Sequence, residues 1–296
     1  MKKIKTSNII LVVLICLTIL YLTNSVLITK QILIYTKLFI EKLFPASFLF
    51  FTLSTLLIEY NAVGSLTKIF KKNGAVLYVT IMSLISGFPS GSIYTTELLK
   101  KKQITEKTAN YLIRFTHFPN PIFILGPVSQ LFPSKSYAYK ILISIILANI
   151  IIAIVTKPKE QSKNIERHNY PQSLSQTLSK ATLSSLKTII LIYGTSIFLY
   201  LIITIINHYY KMSLISYVLL NGIFDLTNGV FLTSLITNPI TKGIIIIFFF
   251  SFGGLSVHMQ TKSIIADTQI KYKNFFIGRI LEIIIANILF LWIINW

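Results

Sequence analysis

The chain has 296 residues, 53% of them hydrophobic and 12% charged, with a mean hydropathy of +0.71. A soluble domain carries about 25% charged residues, so this composition excludes an ordinary soluble domain and points to an all-α protein that crosses the membrane several times. The formal charge of +19 comes from 28 Lys and Arg against 9 acids. The basic residues cluster in short connections between apolar runs, where the positive-inside rule places them, and no RNA- or DNA-binding motif accompanies them, which argues against nucleic acid as a partner. A single cysteine, Cys16, excludes an intramolecular disulfide and a cysteine-rich metal site.

In chain order, Ile9–Ile28 predicts a first spanning helix. It is longer than the apolar core of a signal peptide and lacks an A-x-A-like site, so it is expected to remain uncleaved. Gln31–Phe44 mixes Lys30, Lys37, Glu41 and Lys42 with apolar residues and predicts an amphipathic stretch or helix entry. Pro45 opens a second apolar run that ends at Glu59-Tyr60-Asn61, followed by a turn marked by Lys68, Lys71 and Lys72. Ala75–Ile85 is then too short to span, since a transmembrane helix needs roughly 20 apolar residues. It stops at Ser86-Gly87-Phe88-Pro89-Ser90-Gly91. Backbone groups freed there must be buried in protein or line a cavity, and a broken segment is a sequence-level pointer to a transporter site. A plain loop between helices is the competing reading.

Beyond the motif, Thr105-Glu106 predicts a helix start, with Thr105 as cap and Glu106 at the positive end of the dipole. That helix is expected to run through Arg114 to a second break, Thr116–Pro121. Tyr137–Val155 predicts a span, 157–173 a charged linker, Leu174–Leu186 an interfacial amphipathic helix and Ile189–Ile206 a further span. Ser213–Ile236 is apolar but interrupted by Asn221, Asp225, Thr227, Asn228 and Gly229; Gly243–Phe252 is again too short and ends in Ser251-Phe252-Gly253-Gly254-Leu255-Ser256; Phe275–Trp296 is the last span.

The two halves repeat a pattern. Glu59, Gly87 and Arg114 are spaced by 28 and 27 residues, and Asp225, Gly253 and Arg279 by 28 and 26. Each half places an acid at the end or interruption of an apolar run, then a short run with a Gly/Ser break, then an Arg on the next helix. Paired glycine-broken segments are what a duplicated transporter core presents. The chain is therefore divided, within a single membrane domain 1–296, into repeat 1 over 44–133 and repeat 2 over 187–296. The Lys-rich turn of the first half has only Lys242 as counterpart, which favours opposite sides and hence inversion.

Charges at membrane depth cost about 2.5–3.5 kcal/mol each on insertion scales, so Asp225, Arg279 and Glu282 need a reason. Arg279 and Glu282 are three apart and can pair on one helix face; alternatively Arg279 offers its fork to an anion. Arg114 has the same two readings. His117 and His258 sit in the breaks without a matching carboxylate set, so no metal site is expected. No nucleophile–base pair and no P-loop stands out, so neither an enzyme nor a cofactor is expected. Candidate substrate contacts are Ser86, Gly87, Pro89, Ser90, Gly91, Arg114, Asn120, Asp225, Asn228, Gly253, Gly254, Ser256, His258, Gln260 and Arg279, for a small anionic substrate held by unwound backbone, hydroxyls and amides.

The segments Ser86–Gly91, Arg114–Gly126 and Phe252–Gln260, together with Asp225-Leu226-Thr227-Asn228-Gly229, resemble the YlbJ/SpoVV family of sporulation integral membrane proteins, one of the nucleoside-recognition or Gate-domain membrane families. The resemblance runs over most of the chain from about Phe44, and Asp225 stands where the family usually has Glu. It implies an architecture like that of concentrative nucleoside transporters, with inverted repeats and re-entrant hairpins. It also implies an endospore-forming bacterium, a place in the mother-cell-derived membrane around the forespore, and movement of dipicolinic acid during spore maturation and cortex formation. Two further readings stay open beside it, a membrane scaffold for sporulation proteins and a nucleoside transporter. A homo-oligomer is compatible with all three.

Overall fold

The computed structural model describes residues 6–70, 73–158 and 173–295, and within them every regular element is a helix. The expected first span is divided. Helix α1 covers Thr6–Thr23 and α2 covers Ser25–Leu38, bent by 93° where they meet. Asn24 leaves the helical region (φ −112°, ψ 28°), and its amide donates to the Leu20 carbonyl at 2.8 Å and to the Tyr209 hydroxyl at 3.0 Å. A short amide side chain that competes for backbone partners interrupts an apolar helix that composition alone would continue. None of the described α1 side chains is buried. A π-helical turn, Phe39–Leu43, leads into α3 (Phe44–Glu59), which has Pro45 in its first turn, as expected.

Helix α4 (Ala62–Phe70) turns away from α3 by 68°. Then come α5 (Gly74–Ser86), α6 (Ser90–Lys100), α7 (Glu106–Leu112) and α8 (Pro121–Leu125). Thr105 caps α7 as expected, accepting from the Thr108 N–H at 3.3 Å. The helix ends at Leu112, however, so Arg114 lies in the turn after it rather than on it.

Helix α9 (Ser136–Val155) is the expected span. Of the expected charged linker, 157–173, residues 159–172 lie outside the described residues, as do Lys71 and Lys72. The expected pair of an interfacial helix and a span is one helix, α10 (Leu174–Tyr209, 36 residues), capped by Ser173. No Gly or Pro falls between 174 and 193 to break it. At 1.5 Å per residue it is about 54 Å long, well beyond a 30 Å hydrocarbon core, so its Ser/Thr-rich start projects past the apolar layer.

Next, α11 (Leu214–Phe224) and α12 (Leu226–Leu232) flank Asp225, and α13 (Pro239–Phe252) and α14 (Gly254–Ile265) flank Gly253. Here the expectation of a half-length segment is corrected. Pro239–Ile265 forms a 27-residue stretch long and apolar enough to span, with positive φ at Gly253 and Gly254, while the Gly253 N–H still donates to the Phe249 carbonyl at 2.8 Å. The start lies earlier because Asn238 caps it, accepting from the Ile240 and Thr241 N–H groups at 3.0 and 2.9 Å, ahead of Pro239. Lys242, expected in a turn, is buried inside α13. Its ammonium donates to the Leu131 carbonyl at 2.6 Å and lies 5.5 Å from the Phe132 ring centre. Helix α15 (Tyr272–Ile294) closes the chain.

Among the described residues four helices are long and apolar enough to cross a membrane, or up to six if each bent pair is one span, which is consistent with a polytopic membrane protein. Two large apolar cores form beside a small third one of Ile28, Leu201 and Ile205. One joins α3 and α5–α7 with Val257 and Phe275; the other joins α8, α9 and α11–α13 with Ala286 and Phe290. Phe88 and Ile285 pack against both.

Candidate functional site

The Ser86–Gly91 motif becomes a three-residue interruption, Gly87-Phe88-Pro89, between α5 and α6. Gly87 sits at φ 77°, ψ 176°, a region open essentially to glycine. A Cβ there would also lie 2.9 Å from the Asn120 backbone nitrogen. The break is seated on Asn120, whose amide donates to the Ile85 carbonyl at 3.4 Å while its Oδ1 accepts from the Ile122 N–H at 2.8 Å and caps α8. Ser86 shares a hydrogen bond with the Tyr94 hydroxyl at 2.8 Å.

Two cavities meet at this break. The larger, about 140 Å³, is lined by Ser86, Gly87, Phe88 and Asn120 from the first half, by Thr227 from α12, and by Lys42 at its rim. The smaller, about 70 Å³, is lined by Ser196, Asp225, Thr227, Ser256 and Gln260, with Phe88 again in its wall. Phe88, Leu43, Ser47, Leu226 and Thr227 border both. Asp225 is buried: its Oδ2 accepts from the Asn228 N–H at 2.9 Å and caps α12, and its Oδ1 accepts from the Tyr35 hydroxyl at 3.1 Å. Gln260 donates to Thr195 Oγ1 at 3.0 Å and Ser196 Oγ at 3.2 Å.

Of the residues singled out in the sequence, Ser86, Gly87, Asn120, Asp225, Ser256 and Gln260 therefore line the paired cavities. The others lie elsewhere. Ser90 is buried, and Gly91 packs so closely that a Cβ would fall on the Thr116 carbonyl oxygen. Pro89 opens α6, away from either cavity lining. Asn228 donates its amide to Asn221 Oδ1 at 2.8 Å. Gly253 and Gly254 have φ of 89° and 66° and are packed against protein; a Cβ at Gly254 would come within 3.1 Å of the Gly222 carbonyl oxygen. His258 pairs through Nδ1 with the Tyr272 hydroxyl at 2.6 Å.

The two arginines have protein partners. Arg279 is fully buried and pairs with Glu282. It also donates to the carbonyls of Arg114 at 3.0 Å, Ser251 at 3.3 Å and His117 at 3.4 Å. Arg114 holds Asn274 Oδ1 at 2.7 and 3.2 Å. The helix-face pairing expected of Arg279 and Glu282 is present, and the guanidinium ties the Arg114–His117 turn to α13.

Phe88, Lys42, Ser47 and Thr227 were not among the sequence candidates. Phe88 lies inside the motif, yet an aromatic residue in an apolar chain carries no signal of its own. Lys42 was visible as one of the charges before Pro45, and Thr227 as an interruption of an apolar run.

No family model and no solved structure matches the chain. It is similar to the sporulation integral membrane protein YlbJ of Bacillus subtilis (strain 168), with 27% identity over 297 aligned residues that cover 84% of this chain and 73% of that protein.

Proposed function

We propose, taking as premise the membership of the YlbJ family of sporulation integral membrane proteins that this similarity supports, that the chain is a multi-pass carrier of a small organic anion, dipicolinate in our reading, in a membrane of the sporulating cell. The observation that carries the reading is the pair of adjoining cavities built from both halves around the Gly87 break. The larger one suits a flat aromatic dianion. Phe88, Phe123 and Phe250 supply apolar walls for a ring, while the Lys42 ammonium and the Asn120 amide stand where carboxylates need donors. Lys42, exposed at the rim, serves to draw an anion in, and the half-buried Asn120 supplies a fixed donor. The Asp225 carboxylate faces the smaller cavity and directs an anion to the larger.

The repeat reading has support of its own. Residues at nearly constant separation touch one another: Arg279 donates to the Arg114 carbonyl at 3.0 Å, and Asn274 donates to Asn110 Oδ1 at 2.7 Å. Corresponding residues of two halves meet in this way where a pseudo-two-fold axis passes. On this reading residues 44–133 and 187–296 form inverted repeats about the Arg114–Arg279 contact.

The test is flux of pyridine-2,6-dicarboxylate into proteoliposomes, with labelled nucleoside as a second cargo. Hydrogen bonds to charged groups contribute about 1.5–3 kcal/mol each, so Asn120→Ala should weaken apparent affinity about tenfold or more, and Lys42→Gln, at an exposed side chain, should weaken it about fivefold or less. No flux above protein-free liposomes sinks the reading. The scaffold alternative is favoured by one observation, the engagement of both terminal nitrogens of Arg279 by protein groups. It expects Gly87→Leu to leave sporulation intact in a protein that still reaches the membrane.

A further inference from the structure

We propose that the pocket at the lysine-rich end of α3, α6, α10 and α14 is a water-filled vestibule that admits organic carboxylates and leads to the paired cavities. The inference rests on the carrier reading for its destination, and on its own residues for its selectivity. The C-terminus of α3, the C-terminus of α6 and the first turns of α10 converge here around a cavity of about 370 Å³. Three lysines, Lys100, Lys101 and Lys180, face two carboxylates, Glu59 and Glu97, so cations are in excess.

The pairing is shared rather than saturated. Lys180 Nζ lies 2.9 Å from Glu59 Oε1, and Lys101 Nζ lies 3.1 Å from that same oxygen and 3.3 Å from Glu97 Oε1. The Lys101 ammonium is buried and divides its three N–H groups between two carboxylate oxygens, which leaves it a donor for one further acceptor. Thr96, 6% exposed, lines the same cavity with a hydroxyl that has no hydrogen-bond partner. An unpartnered buried hydroxyl beside an underused ammonium is a receptor for one more acceptor group. A carboxylate from solution fits by sharing Lys101 and Lys180 with Glu59 rather than displacing it, so that no buried charge is left unpaired.

The vestibule adjoins the cavities described above. On α10, Thr188 lines the vestibule and the next residue, Ile189, lines the smaller cavity. On α14, Ile264 and Gln260 stand in the same relation one turn apart, about 6 Å along the axis. Hydroxyls mark the interval, with Thr52 donating to Ser185 at 3.1 Å and Ser92 to Thr261 at 3.5 Å. By the positive-inside rule this end faces the cytoplasm.

The experiment uses the full chain in proteoliposomes on a Cys16→Ser background, with Thr188→Cys as the reporter. Its rates with a sulfonate-bearing and a trimethylammonium-bearing methanethiosulfonate are measured relative to their rates with free cysteine. A cationic entry should favour the anionic reagent by about tenfold. Lys180→Gln, at a side chain that is 69% exposed and tolerant of change, should reduce that preference several-fold, and pyridine-2,6-dicarboxylate should slow the labelling. An unreactive thiol, or equal or faster reaction with the cationic reagent, overturns the proposal. Loss of the charge preference with dicarboxylate flux intact removes the vestibule and leaves the carrier. Preserved preference and protection without flux removes the carrier and keeps the vestibule as an anion site.

Discussion

The breaks at Gly87 and Gly253 look alike in sequence and do different things in space. The first removes three residues from the helix and leaves Gly87 extended at φ 77°, ψ 176°, with Phe88 turned into the wall between two cavities. The second removes one residue, at φ 89°, ψ −3°, and is closed over by His117, Val257 and the α11–α12 junction. In the second half it is Ser256 and Gln260, further along α14, that reach a cavity. A glycine pair thus serves either to open backbone to a cavity or to let two elements approach closely, and the neighbours decide which.

The comparison breaks most severely at Arg279, which joins the two halves. Arg279→Ala would strand Glu282 in a fully buried site and leave the carbonyls of Arg114, His117 and Ser251 without their donor. Removing one partner of a buried pair costs about 3–5 kcal/mol. The expected outcome is loss of the monodisperse, folded protein in detergent, checked by size-exclusion chromatography and thermal unfolding. Arg279→Leu combined with Glu282→Leu should recover part of that loss. If the single variant is as stable as wild type and only flux disappears, the arginine acts on substrate and not as a clamp.

A subtler test exchanges the same residue at both breaks. Asparagine tolerates the left-handed region at Gly253 but not the extended positive-φ region at Gly87. Gly87→Asn should therefore lose about 1–3 kcal/mol more stability than Gly253→Asn, read as the difference in unfolding midpoints, and only the former should reduce flux. Equal losses would mean that the two breaks are equivalent after all.

The smallest effect is expected at Asp225→Asn. Asn and Asp are comparable N-caps, so α12 should keep its start and the unfolding temperature should move little. A flux change in that variant would come from the charge facing the smaller cavity.

Much of the scaffold was legible along the chain because its signals are local. Thr105 three residues before Thr108, Pro45 at the start of an apolar run, and Arg279 three residues before Glu282 each act within one helical turn. Membrane character is read from composition, since 12% charged residues is about half of what a soluble domain carries, and from the long apolar runs. Only the tertiary structure decided that Asn24 would bend the first apolar run toward Tyr209, that Lys242 would find the Leu131 carbonyl 111 residues away, and that Phe88 rather than Ser90 would border the cavities. Each depends on a partner remote in sequence. The spacing of Glu59, Gly87 and Arg114 against Asp225, Gly253 and Arg279 was open to inspection in one dimension. Which of those glycines borders a cavity was set by the packing of Asn120 on one side and His117 on the other.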